Sequence, residues 1–200
     1  MVAIALIRPG STAFDDEGRI KGCLNFPLSC QGEDQVQQCS QQIDEALPAD
    51  RYGTKLDTIY CAPCDSAKQT AEAIAQRCHS RVRVVECFKN LDLGLWQGRK
   101  IDELRRLQPT IYRQFQEHPL TFCPPGGESM EEAACRVRRM LNKLIRKHRD
   151  ESVGIVVPEP LASIVRYLLD RREIGDPWKA EQDHANWEII SLPEQKMAMV

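Results

Sequence analysis

Val2-Ala3-Ile4-Ala5-Leu6-Ile7 runs without interruption into Arg8-Pro9-Gly10-Ser11-Thr12. Six apolar residues that end abruptly at a Pro-Gly breaker have the pattern of a strand buried on both faces, as in the centre of a parallel sheet. Two more runs share the form: Thr58–Cys61 followed by Ala62-Pro63-Cys64-Asp65-Ser66, and residues 152–157 followed by Pro158-Glu159-Pro160. The alternation over residues 82–87 predicts a further strand. Trp187–Leu192, the turn Pro193-Glu194-Gln195 and residues 196–200 predict a terminal hairpin or edge pair.

Helical patterns lie between the strands. Val36, Cys39, Ile43 and Leu47 mark one apolar stripe, and Ala67, Ala71, Ile74, Ala75 and Cys78 a second. A longer helix carries Ala133, Val137, Met140, Leu141, Leu144 and Ile145, started by a capping box of Ser129 and Glu132. Pro160 suits the first turn of a helix through Leu161, Ile164, Val165 and Leu168. This alternation predicts an α/β three-layer sandwich, a mostly parallel central sheet with helices on both faces. Residues 1–200 read as one domain, with residues 89–127, rich in breakers, as a small helical and loop insertion over the site. In such sheets ligands sit outside the carboxyl ends of the strands, which places the candidate site at the three loops quoted above.

Composition narrows the function classes. Lysine and arginine total 27 against 29 acids, a net charge of -2, so nothing global attracts nucleic acid or an anionic membrane. The basic run Arg136, Arg138, Arg139, Lys143, Arg146, Lys147 and Arg149 reads as the solvated face of an amphipathic helix. No apolar stretch is long enough to cross a bilayer, and Met1 leads directly into strand, so a soluble cytoplasmic protein is expected. Nine scattered cysteines are unlike a secreted disulfide framework and read as reduced thiols.

The order of motifs resembles that of the histidine phosphatase superfamily (phosphoglycerate-mutase-like) over residues 2–186. The family's strand and R-H-G-E/S-T corresponds to Leu6-Ile7-Arg8-Pro9-Gly10-Ser11-Thr12. Its G-R-x-x-G corresponds to Gly18-Arg19-Ile20-Lys21-Gly22, and its P-L-S/T-x-x-G to Pro27-Leu28-Ser29-Cys30-Gln31-Gly32. The S-P-x-x-R-A-x-Q-T-A motif resembles Ala62-Pro63-Cys64-Asp65-Ser66-Ala67-Lys68-Gln69-Thr70-Ala71, with Ser66 where a phosphate-binding arginine stands. Leu91-Asp92-Leu93-Gly94-Leu95-Trp96-Gln97-Gly98 follows Asn90, which takes the place of the proton-donating acid, and Pro124-Pro125-Gly126-Gly127-Glu128-Ser129 copies P-G-G-E-S. The strand before V-V-S-H-G-G is kept, but reads Val156-Val157-Pro158-Glu159-Pro160.

The resemblance therefore implies a member lacking both catalytic histidines, with Pro9 and Glu159 in their places. Proline offers no nucleophilic atom and no N–H to a phosphoryl group. A Glu159 carboxylate facing phosphate adds repulsion of roughly 4 kcal/mol for unit charges ~4 Å apart at an effective dielectric of about 20. The reading that follows is a catalytically inactive binding, regulatory or scaffolding module with no cofactor or metal, whose partner is an unknown small anionic metabolite or a protein. The degenerate pocket comprises Arg8, Pro9, Arg19, Ser66, Asn90 and Glu159, and Arg8, Arg19, Ser11, Thr12 and Glu128 are the candidates for ligand contact.

Against that stands internal neutralisation of Arg8 by Glu159, which predicts a bidentate contact within about 4 Å. Two other readings stay open: a hydrolase of altered mechanism using Cys61, Cys64 or Ser66 with Glu159 as base, and a redox protein built on Cys61-Ala62-Pro63-Cys64. His79, His118, His148 and His184 read as surface or ordinary polar positions, and Trp96 and Trp187 as packing residues.

Overall fold

The computed structural model describes residues 2–47, 55–148, 151–182 and 184–192. Strand β1 (Val2–Ile7) is followed by a single-turn helix α1 (Ala13–Asp16), the long α2 (Cys30–Ala46), β2 (Thr58–Cys61), α3 (Asp65–Cys78) and β3 (Arg81–Val84). Next come α4 (Ile101–Leu107) and α5 (Pro109–Glu117). The chain returns through α6 (Met130–Lys147), β4 (Ser152–Val156), α7 (Leu161–Asp170), α8 (Pro177–Ala180) and β5 (Trp187–Leu192).

The sheet order is β3-β2-β4-β1-β5. β1, β2, β3 and β4 run parallel, and β5 is antiparallel to β1 at the edge, so the expected α/β sandwich holds. Ile4, Leu6, Ile7, Ile59, Val153, Ile155 and Val156 are buried, as strands covered on both faces require. Both predicted helix stripes face the core, and Ser129 and Glu132 form the predicted capping box of α6. The basic run, up to Lys147, lies on that helix; Arg149 is outside the described residues.

Three expectations need correction or fall outside the description. The strand at residues 82–87 begins one residue earlier and stops at Val84, because Glu86–Phe88 turns into a short 3-10 helix that carries Phe88 fully into the core. Pro160 stands just before α7, at its N-cap, not inside its first turn. Residues 193–200, which carry the expected turn and second hairpin strand, are outside the described residues.

An aromatic cluster from residues 96–122 joins the main hydrophobic core. Trp96 stacks on Phe122 with centroids 5.4 Å apart and meets Phe115 edge-on at 5.4 Å, while Trp178 from α8 stacks on Tyr112 at 4.9 Å. Trp96 is thus the packing residue it was expected to be, and Trp178, 82 positions later in sequence, closes the cluster.

Candidate active site

The three parallel strand ends converge. The loop after β1 is held against the start of α2: Ser29 N–H donates to Ser11 O at 2.9 Å, and a Cβ on Gly32 would stand 2.0 Å from Ser11 O, so only glycine allows the approach. Gly10 meets the same constraint from the other side, where a Cβ would stand 2.4 Å from Gly32 O. These contacts fix the backbone from which Arg8 and Pro9 project.

Arg8 is 4% exposed and Glu159 6%. Arg8 Nε donates to Glu159 Oε1 at 2.6 Å, so the predicted pair exists. It is not the expected two-oxygen fork, however: Oε2 accepts the Ser163 N–H at 3.1 Å and so caps α7. Arg8 Nη1 also lies 3.9 Å from Glu188 Oε1 on β5. Pro9 contributes its carbonyl, which accepts from Ala185 N–H at 2.9 Å.

Asn90 is 5% exposed and acts as a clasp. Its Nδ2 donates to Gly22 O at 2.9 Å and to Glu159 O at 2.8 Å, while its Oδ1 has no hydrogen-bond partner among the described residues. The two carbonyl acceptors fix which end of the amide is nitrogen. Ser66 lies at the start of α3, its N–H bonded to Phe26 O at 3.0 Å and its Oγ 3.7 Å from Cys64 Sγ. Ser66, Asn90, Lys21, Cys23, Phe26 and Pro158 share a cavity of about 310 Å³ outside the strand ends.

Arg19 does not join this group. Its Nε pairs with Glu17 at 2.6 Å, Nη1 donates to Gly98 O at 2.8 Å, and the side chain is about one third exposed. The motif spacing gave no sign that this turn bridges to Lys100 and faces away. The other assigned contacts are also occupied. Thr12 N–H and Oγ1 both donate to Asp15 Oδ2, Ser11 N–H donates to Gln35, and Glu128 receives Arg136 through both carboxylate oxygens. Arg136 extends to Cys87 O and Asn90 O, which links Glu128 to Asn90 through its guanidinium.

Sequence reasoning missed the buried Lys21, whose Nζ pairs with Asp15 Oδ2 at 2.6 Å, and Glu181, buried nearby. His148 is also buried, contrary to expectation, and links Tyr60 Oη at 2.7 Å to Glu151. The Cys61 thiol is fully buried and burial pushes its pKa up to about 11; Cys61 and Cys64 are both free.

With this geometry fixed, comparison with known proteins places the fold. A model of the histidine phosphatase superfamily (branch 1) matches residues 4–200. The chain belongs to that superfamily. Phosphoserine phosphatase 1 of Hydrogenobacter thermophilus is 25% identical over 197 residues, 98% of this chain and 89% of its own. A probable phosphoglycerate mutase GpmB of Salmonella paratyphi B is 32% identical over 141 residues, 70% of this chain and 62% of the relative. The solved structure of a mycobacterial glucosyl-3-phosphoglycerate phosphatase, determined with VO3, superposes with a TM-score of 0.79 at 24% identity, covering 94% of this chain and 92% of that one. Bacillus stearothermophilus YhfR gives 0.81 at 20% identity, over 97% and 93%. Members of this superfamily are phosphatases and mutases, and among the described residues of the chain no helix is long and apolar enough to cross a membrane.

Proposed function

We propose that this superfamily member does not transfer phosphoryl groups and works as a binding module in the cytoplasm. The observation that carries the reading is the buried Arg8–Glu159 pair at the strand ends, on either side of which stand Pro9 and Asn90. Phosphoryl transfer needs a nucleophile and preorganised positive charge around the phosphoryl oxygens. Pro9 supplies no nucleophile, Arg8 is turned onto an internal carboxylate, and Ser66 brings no charge. The Asn90 amide has no acidic proton to give a leaving group. The ligand site of such a module is the 310 Å³ cavity, whose wall keeps Lys21 and Lys89 beside the apolar Phe26 and Pro63.

The alternative nucleophiles fit less well. A Cys61 thiol held protonated by burial is a poor nucleophile and a poor redox partner for Cys64. Glu159, the base they would need, has both oxygens engaged by Arg8 and Ser163.

The test is phosphate release from p-nitrophenyl phosphate and phosphoserine by the purified chain. Release at the buffer rate is expected, and turnover that survives repurification would contradict the reading. Pro9→His alone is expected to stay silent as well. A nucleophile without its supporting charges falls short by on the order of 10³-fold or more in related chemistries. Measurable recovery in that variant would show that the remaining losses matter little.

A further inference from the structure

Lys21 lines the strand-end cavity, and its partner Asp15 lines a second one, of about 500 Å³. The walls of this second cavity carry five carboxylates, from Asp15, Asp16, Glu17, Asp102 and Glu181, against the two cations Arg19 and Lys100, with His184 also present. Most of these acids have internal work or solvent. Asp15 Oδ2 receives Lys21 and Thr12, and Glu17 holds Arg19. Glu181 differs: it is 8% exposed, and its Oε1 is enclosed without a hydrogen-bond partner among the described residues.

An enclosed Glu181 oxygen lacking a donor is costly in its charged form, and even with that acid neutral the other four carboxylates outnumber the two cations, so the cavity disfavours anions. Among the described residues no three His, Cys, Asp or Glu side chains are grouped to hold a metal ion. A compact donor with positive charge and room for an apolar stem meets both the charge and the missing hydrogen bond. We propose that this cavity binds a small aliphatic amine whose primary ammonium donates to Glu181. The site uses neither Arg8 nor Glu159, so it stands or falls separately from the proposed function.

Proton linkage gives a signature. Burial pushes Glu181 up to about 8, Lys21 opposes this, and Asp15 and Glu159 reinforce it. At neutral pH the empty site therefore holds the proton, and an ammonium ligand drives it off. The same cavity wall carries His184, so the Glu181 variant is needed to assign the effect.

The experiment is calorimetric titration of the full chain with 1,4-diaminobutane, and with 1,4-butanediol as its neutral counterpart, in buffers of different ionisation heat. The diamine is expected to bind one to one, to release up to one proton at pH 7, and to bind more tightly as pH rises from about 6 to 8. Glu181→Gln should weaken it about tenfold or more and abolish the proton release, in line with loss of a charged hydrogen bond. Gln31→Trp, on the exposed start of α2 at the cavity wall, should block binding while the circular dichroism spectrum is unchanged. Equal binding of the diol, unchanged affinity in Glu181→Gln, or no heat from the diamine up to about 10 mM would each overturn the proposal.

Discussion

Arg8→Met is expected to destabilise the protein by about 3–5 kcal/mol, the range found when one partner of a buried ion pair is removed. The size follows from what is left behind. Glu159 is 6% exposed, and once Arg8 is gone the hydrogen bond left to its carboxylate among the described residues is the 3.1 Å contact from Ser163 N–H. Glu181, another buried acid, lies close enough to interact with it electrostatically. The double variant Arg8→Met/Glu159→Gln should recover most of the loss, because a neutral amide no longer needs a buried counter-charge. Urea unfolding of the four proteins closes the cycle. Losses that simply add would show that Arg8 is retained for something other than Glu159.

The second large effect is a change of stability with pH. Glu181 has a folded-state pKa of about 8, against 4.5 for an ordinary glutamate, because burial penalises its charged form. Between those values the folded chain binds a proton that the unfolded chain has released. Stability of the parent protein must therefore fall as pH rises from about 4.5 to about 8 and level off above that. At roughly 1.4 kcal/mol for each tenfold change in the proton equilibrium, the full loss is on the order of 5 kcal/mol, an upper figure. Glu181→Gln lacks this slope. It should match the parent near pH 5 and exceed it by several kcal/mol above pH 8. A difference between the two that does not grow with pH would mean that the carboxyl is hydrated and not enclosed.

Those two positions also mark how far the sequence can be read. The buried strands β1, β2 and β4 were legible because both faces must be apolar and each ends at a breaker, a purely local signal. The capping box of α6 is equally local. The Arg8–Glu159 contact was legible because adjacent parallel strands, paired Ile7 with Val156, deliver their following residues to one place.

What failed to show was set by distant partners. Arg19 shares a motif with pocket residues, but whether its side chain turns inward depends on its bridge to Lys100, 81 positions away, which no spacing encodes. The strand at Arg81–Val84 stops early because Phe88 finds a fully buried slot, a tertiary event that outweighs local alternation. Glu181 sits in Lys179-Ala180-Glu181-Gln182, a stretch with every appearance of a solvated turn. Its burial follows from Trp178, which pins α8 to the aromatic cluster of Tyr112 and Phe115. His148 is hidden for a similar reason, since Tyr60 from β2 reaches it across 88 residues.

Glu159 is proposed to close the strand-end pocket to anions from within. Titration of the purified chain with orthovanadate, followed by ⁵¹V nuclear magnetic resonance, addresses it most directly, because it asks about the phosphoryl-like anion itself and does not depend on turnover. No saturable binding is expected up to about 10 mM, since the guanidinium that would receive the anion already holds a carboxylate. Saturable binding at micromolar vanadate, displaced by inorganic phosphate, would contradict it.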